Sequence, residues 1–176
     1  MTVTAMLAQY GAEDHDVARV RRLLAAEPDP WRRDLPLHLT ASAFVVHPAT
    51  RRVLLRWHER QQAWLQVGGH GDPGERDPLA VALREGREET GLPDLTPWPD
   101  DSLLQVAVVP VPAKGAEPAH EHADLRFVLA TTQPEAIRPE KPEAPLRWLP
   151  VDEALEATGE ANVREALSWV RRLLGA

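Results

Sequence analysis

Glu85, Glu88 and Glu89 crowd three carboxylates into five residues of a 176-residue chain. Their i, i+3 and i+4 spacing puts them on one face if the segment is helical. Like charges at that spacing repel. A divalent cation would remove the repulsion: Mg²⁺ and Mn²⁺ are hard ions that take carboxylate oxygens and keep some water, leaving positions for substrate phosphates. The segment has strong helix boundaries, Asp77 then Pro78 at the start and Thr90 then Gly91 at the end, which predict a helix over Pro78 to Thr90. Leu79, Ala82, Leu83 and Gly86 share a neighbouring face. The glycine pair Gly68 and Gly69 lets the backbone approach closely, so that a glycine carbonyl can complete a coordination shell. Taken alone, the run "REGREE" reads as a solvated helix face; the glycines, Glu75 and the two helix boundaries shift the balance to a metal site.

The elements that must position these groups follow from hydrophobic periodicity. A first helix is expected from Glu13 to Ala26, with Val17, Val20 and Leu24 on one face. Leu39 to Val46 is apolar on both alternations, as in a strand buried between two layers, and Val53 to Trp57 follows it as a hairpin partner. Trp64 to Val67 and Leu103 to Val109 are further strands. His122 to Ala130 alternates, with Ala123, Leu125 and Phe127 on one side and His122, Asp124 and Arg126 on a polar side that faces a cleft. A short strand at Leu146 to Leu149 and a short helix after Val151 precede a last helix from Asn162, where Asn162 and Glu165 resemble a capping box. The six tryptophans are assigned mostly to the core.

Composition narrows the function classes. With 43% hydrophobic and 27% charged residues the chain has the make-up of a folded domain. It has no cysteine, which excludes disulfides, thiolate metal sites and cysteine nucleophiles. A net charge of −7 argues against a partner held by its phosphate backbone, double-stranded nucleic acid in particular. No stretch reads as a signal peptide or a membrane span, so the expectation is a cytoplasmic protein without a membrane partner.

The stretch from Gly68 to Leu92 resembles the Nudix hydrolase signature, with Gly69, Glu75, Arg84, Glu85, Glu88, Glu89, Gly91 and Leu92 at the family's positions. Eight residues separate Glu75 from Arg84, one more than in the family pattern, and the extra residue is assigned to the loop around Arg76 and Asp77. Gly86 stands in place of an apolar residue, and Val67 in place of a frequent proline. The resemblance implies an α/β fold, the Nudix α/β/α sandwich with a mixed sheet, over residues 37–176, with residues 1–36 as an N-terminal helical extension. It implies a Mg²⁺- or Mn²⁺-dependent pyrophosphohydrolase whose substrate is a nucleoside diphosphate linked to another group. Glu85, Glu88 and Glu89 become metal ligands, joined by the Gly69 carbonyl. Glu88 and Glu89 lead as the catalytic base, with Glu85 beside them, and Glu75 and Arg84 pair to brace the loop.

His70, His122 and Asp124 are the candidate substrate contacts, and Glu121 is a candidate extra loop carboxylate. Subgroup marks downstream of the signature are not matched: Val108 stands near the place of a proline associated with ADP-ribose, and Val109 near that of a tyrosine associated with dinucleoside polyphosphates. The N-terminal helix is read as packing, with a homodimer contact or a lid as the alternatives. Two rival functions are an isomerase of the isopentenyl diphosphate type, which uses a cysteine this chain lacks, and a nucleotide-sensing module without catalysis, against which the three glutamates count.

Overall fold

The computed structural model describes residues 1–175. Helices α1 (Val3–Tyr10) and α2 (His15–Ala26) lead into strand β1 (Leu37–His47), followed by β2 (Arg52–His58), β3 (Ala63–Leu65) and β4 (Val67–Gly69). Helix α3 (Pro78–Thr90) comes next, then β5 (Thr96–Pro97), β6 (Gln105–Val111), β7 (His120–Ala130), β8 (Leu146–Pro150), α4 (Val151–Ala157) and α5 (Ala161–Leu173). The strands form one mixed sheet: β1 and β2 make the expected antiparallel hairpin, while β1 and β7 run parallel with His38 opposite His122 and Thr40 opposite Asp124. No described helix is long and apolar enough to cross a membrane.

Alternation along the central strands sorts their side chains into two layers. Leu39, Ala41, Ala43 and Val45 of β1 and Ala123, Leu125, Phe127 and Leu129 of β7 pack with α1, α2 and α3. Phe44 and Val46 of β1 and Val128 of β7 pack with α4 and α5 on the other face. Helices on both faces of a mixed sheet make an α/β/α sandwich. On that second face the strands change character along their length. Thr40, Ser42, Asp124 and Arg126 take the place of the apolar residues and line a cleft.

The local signals at α3 are those of the sequence. The Asp77 carboxylate accepts from the Leu79 N–H at 3.0 Å, Pro78 occupies the first turn, and Gly91 at φ +70° ends the helix. Gly86 is buried against Leu95, Leu129 and Val67: a methyl group there would lie 3.0 Å from Cδ1 of Leu95, a tight fit that favours glycine.

Several expectations are corrected. Helix α1 was not expected; Val3, Met6 and Leu7 form its short buried stripe, and Thr2 caps it by accepting from the Ala5 N–H. The expected single strand over Trp64 to Val67 is two, because β3 pairs with β2 and β4 crosses to β1. The capping box at Asn162 does not form: α5 starts at Ala161 behind Glu160, and Glu165 instead accepts from Gln105 Nε2 at 3.0 Å. The tryptophans are mostly core, as expected: Trp31 is buried and Trp64, Trp98 and Trp148 are partly buried against the two core clusters.

Candidate functional site

Helix α3 presents its glutamates to two arginines. The Arg84 guanidinium donates from Nε and Nη2 to Glu75 at 2.9 to 3.2 Å, from Nη1 to Glu85 at 2.9 Å and to Glu88 at 3.0 Å, and from Nη2 to the His70 carbonyl at 2.9 Å. One side chain therefore ties the loop between β4 and α3 to the helix at both ends. The Glu75 carboxyl is held below its usual range by the hydrogen bonds from Arg84. Asp72, three residues earlier in the loop, closes the turn, its N–H donating to Glu75 Oε2 at 2.8 Å.

Glu89 turns elsewhere. It is buried, at 8% exposure, accepts from the Gly68 N–H at 3.0 Å and lies 3.3 Å from Arg56 of β2. Burial pushes its carboxyl up to about 7, against the pull of Arg56 and the Gly68 N–H. Glu85 is also raised by burial, Arg84 opposing. The expectation that the three carboxylates converge on one spot is thus modified: Glu85 and Glu88 share Arg84, while Glu89 pairs with Arg56. Mutual repulsion and the two guanidinium groups account for the split.

The β4 backbone reaches this group because Gly68 and Gly69, the last two of its three residues, have no side chains. At Gly68 a β-carbon would fall 2.3 Å from Cβ of Ser42, and φ is +151°, so the strand can lie against β1 only with glycine. At Gly69 a β-carbon would meet the Glu85 carboxylate. Two residues the sequence reading missed also belong here. Arg56 faces Glu89, and Glu140, on the loop before β8, approaches Arg56 at 4.0 Å while its N–H meets the Glu89 carbonyl. Glu121 does not join them; it is held by Arg19 of α2.

Across β4 lies a cleft of about 260 Å³ lined by Gly69, His70, His122, Asp124, Gln66 and Arg60 among others, and by none of the three glutamates. Gly69 and His70 form the border between cleft and carboxylates. Burial pushes the imidazoles of His70 and His122 down to about 4 and about 3, with neighbouring positive charge adding to the effect, so both are neutral near pH 7. Asp124 is buried and accepts from Thr40, Ser42, Gln66 and Arg126 at 2.7 to 3.2 Å. Its carboxylate organises one wall of the cleft, with all four donors supplied by the protein.

The donor set on α3 suits a hard divalent cation. It offers oxygen only, comes from five consecutive residues of one helix, includes two carboxylates that burial raises, and adjoins a bare glycine peptide.

Comparison with known proteins bears on the same segment. A family model described as the NUDIX domain matches residues 36–170. Comparison with curated proteins found no match. Among solved structures, the Escherichia coli (E. coli) dihydroneopterin triphosphate pyrophosphohydrolase is similar at 19% identity and TM-score 0.61, covering 81% of this chain and 97% of that one. A C. elegans Ap4A hydrolase is similar at 20% identity and TM-score 0.62, covering 78% and 97%. A NUDIX-family hydrolase from Clostridium perfringens reaches 27% identity and TM-score 0.55, covering 74% and 96%.

Proposed function

The chain belongs to the Nudix family and is a Nudix-type hydrolase of phosphoric anhydride bonds; from that premise we propose that it works with Mg²⁺ or Mn²⁺ on a nucleoside diphosphate linked to another group. The observation that carries this reading is the placement of Glu85, Glu88 and Glu89 on α3 beside the side-chain-free peptide of Gly69. Glu85, Glu88, Glu89 and the Gly69 carbonyl hold the ion. A divalent cation so held neutralises phosphate charge and makes water available as a nucleophile near neutral pH.

The remaining roles fall to the chain's own groups. Glu88 or Glu89 accepts the proton of the attacking water. Glu75 and Arg84 hold the loop against α3 through the Arg84 hydrogen bonds. His70 and His122 face the cleft as neutral donors for substrate oxygens, and Asp124 orders Gln66 and Arg126 beside them.

The test is a panel of nucleotide sugars, dinucleotides and nucleoside triphosphates, with Mg²⁺ and Mn²⁺, on wild type and Glu85→Gln. The compounds named for two structural neighbours, a dihydroneopterin triphosphate and Ap4A, enter the panel first. Metal-dependent release of phosphate-containing products by wild type and its loss in the variant is expected. Hydrolysis indifferent to metal or to Glu85 overturns the reading.

A further inference from the structure

Histidines distant in sequence gather at one end of the cleft, apart from the α3 glutamates. His38 of β1 stands opposite His122 of β7 in the parallel register, and His70 reaches them from the residue after β4. The ring centroids are 5.2 Å apart for His38 and His70, 5.0 Å for His38 and His122, and 4.8 Å for His70 and His122. His38, His70 and His122 each offer one ring nitrogen, and the three nitrogens lie within 4.8 Å of one another. His120 backs the group, its Nε2 3.2 Å from that of His122.

The hydrogen bonds fix the orientation of the lone pairs. His38 Nδ1 sits 3.1 Å from the Leu35 carbonyl and His120 Nδ1 sits 3.0 Å from the Pro118 carbonyl. A carbonyl only accepts, so each Nδ1 carries a proton, and in neutral His38 the Nε2 presents a lone pair. A backbone carbonyl behind one ring nitrogen is the arrangement that orients an imidazole as a metal ligand through the other. His70 Nε2 already lies 3.1 Å from His38 Nε2. Two nitrogens on one tetrahedral zinc ion, each about 2.0–2.1 Å from it, are about 3.3 Å apart, so that pair has the spacing, and the third nitrogen lies within 4.8 Å of both.

We propose that His38, His70 and His122 form a metal site separate from the carboxylate centre, selective for a borderline transition ion of the zinc class, with its fourth position open to the cleft. Three imidazoles suit zinc and its neighbours in the first transition row; the all-oxygen set on α3 suits magnesium and manganese. His70 and His122 line the cleft, so the fourth position is available to water or to an oxygen of a bound anion.

Zn²⁺ titration of the full chain against a chromophoric chelator, with Co²⁺ absorption as a readout of coordination, tests the site. Wild type is expected to take one Zn²⁺ and to give the visible bands of tetrahedral Co²⁺. His38→Ala and His122→Ala each weaken Zn²⁺ binding by at least about 10–100-fold, since removal of a ligand costs no less than loss of its outer support. A Glu85→Gln/Glu88→Gln double variant binds Zn²⁺ as wild type does. Should an alanine variant fail to fold, His38→Gln and His122→Gln carry the same expectation. Absence of Zn²⁺ binding by wild type, wild-type affinity in folded histidine variants, or loss of Zn²⁺ in the glutamate variant overturns the proposal.

Discussion

A β-carbon on Gly69 would lie 2.7 Å from both Cδ and Oε2 of Glu85, closer than such atoms approach. The clash is with the end of a flexible side chain, so Gly69→Ala is expected to cost no more than about 1 kcal/mol in stability. The Glu85 carboxylate must instead swing away from β4. Turnover should fall at least about tenfold, because a ligand displaced by an ångström loses the productive geometry. Comparison of melting temperature and turnover between wild type and Gly69→Ala checks this; unaltered turnover would remove Gly69 from the site.

What could be read from the sequence is what is local. The ends of α3 are set by Asp77, Pro78 and Gly91, residues that act within a turn of themselves, and both ends are where the sequence puts them. The polar face of β7 is equally local, a matter of alternation, and it lines a cleft. What escaped is what parallel pairing and packing bring together. His38 is one imidazole in an apolar strand until β1 pairs with β7, and Arg56 and Glu140 reach Glu89 from separate segments. Helix α1 is too short to be stable by propensity and rests on burial of Val3, Met6 and Leu7; their i, i+3 and i+4 spacing between Thr2 and Gly11 is a local signal, but one of only two turns.

Asp124 and Arg126 form a buried ion pair, with Arg126 Nε donating to Asp124 Oδ2 at 2.8 Å and Gln105 accepting from Arg126 Nη1. Removal of one partner leaves a largely buried charge without its counter-charge. Asp124→Ala is expected to lower unfolding free energy by about 3–5 kcal/mol, and His122→Ala by clearly less. Urea unfolding of the two variants distinguishes them; equal, small losses would mean that Asp124 is not the organiser of this wall.

Gly86→Ala sets two effects against each other. Alanine gains about 1 kcal/mol of helix propensity, and its methyl group presses 3.0 Å from Cδ1 of the buried Leu95. Overpacking of a filled core costs about 1–3 kcal/mol, so a net loss of about 1 kcal/mol is expected. A variant more stable than wild type would show that Leu95 has room to move.

Asp94 anchors the segment after α3, accepting from the Thr131 hydroxyl and from the N–H and hydroxyl of Thr132. Desolvation pushes its carboxyl upward, but these hydrogen bonds prevail and hold it down at about 2, below the ordinary 3.8. A depressed acid contributes stability that is present above its unfolded value and lost as pH falls through the folded one. Asp94→Asn is therefore expected to be less stable than wild type at pH 7, with the difference shrinking between about pH 4 and pH 2. Urea midpoints of both proteins measured down this range give the answer; a difference independent of pH would assign the effect to geometry and not to charge.

Mg²⁺ or Mn²⁺ should stabilise the fold, because an ion bound by Glu85, Glu88 and Glu89 binds the native state alone. It also relieves the crowding of charge on α3. Glu89→Gln keeps the shape of the side chain and removes one charge and one strong oxygen ligand, so the increase in melting temperature with millimolar metal should shrink. Its turnover should fall by orders of magnitude while circular dichroism stays native. Glu85→Gln and Glu88→Gln should follow, unequally, since only one of the three is the main base. Glutamates on a merely solvated face would change stability by no more than about 0.5 kcal/mol and leave the rate alone. Near-wild-type turnover in all three variants, with metal responses unchanged, would remove the three glutamates from the metal site.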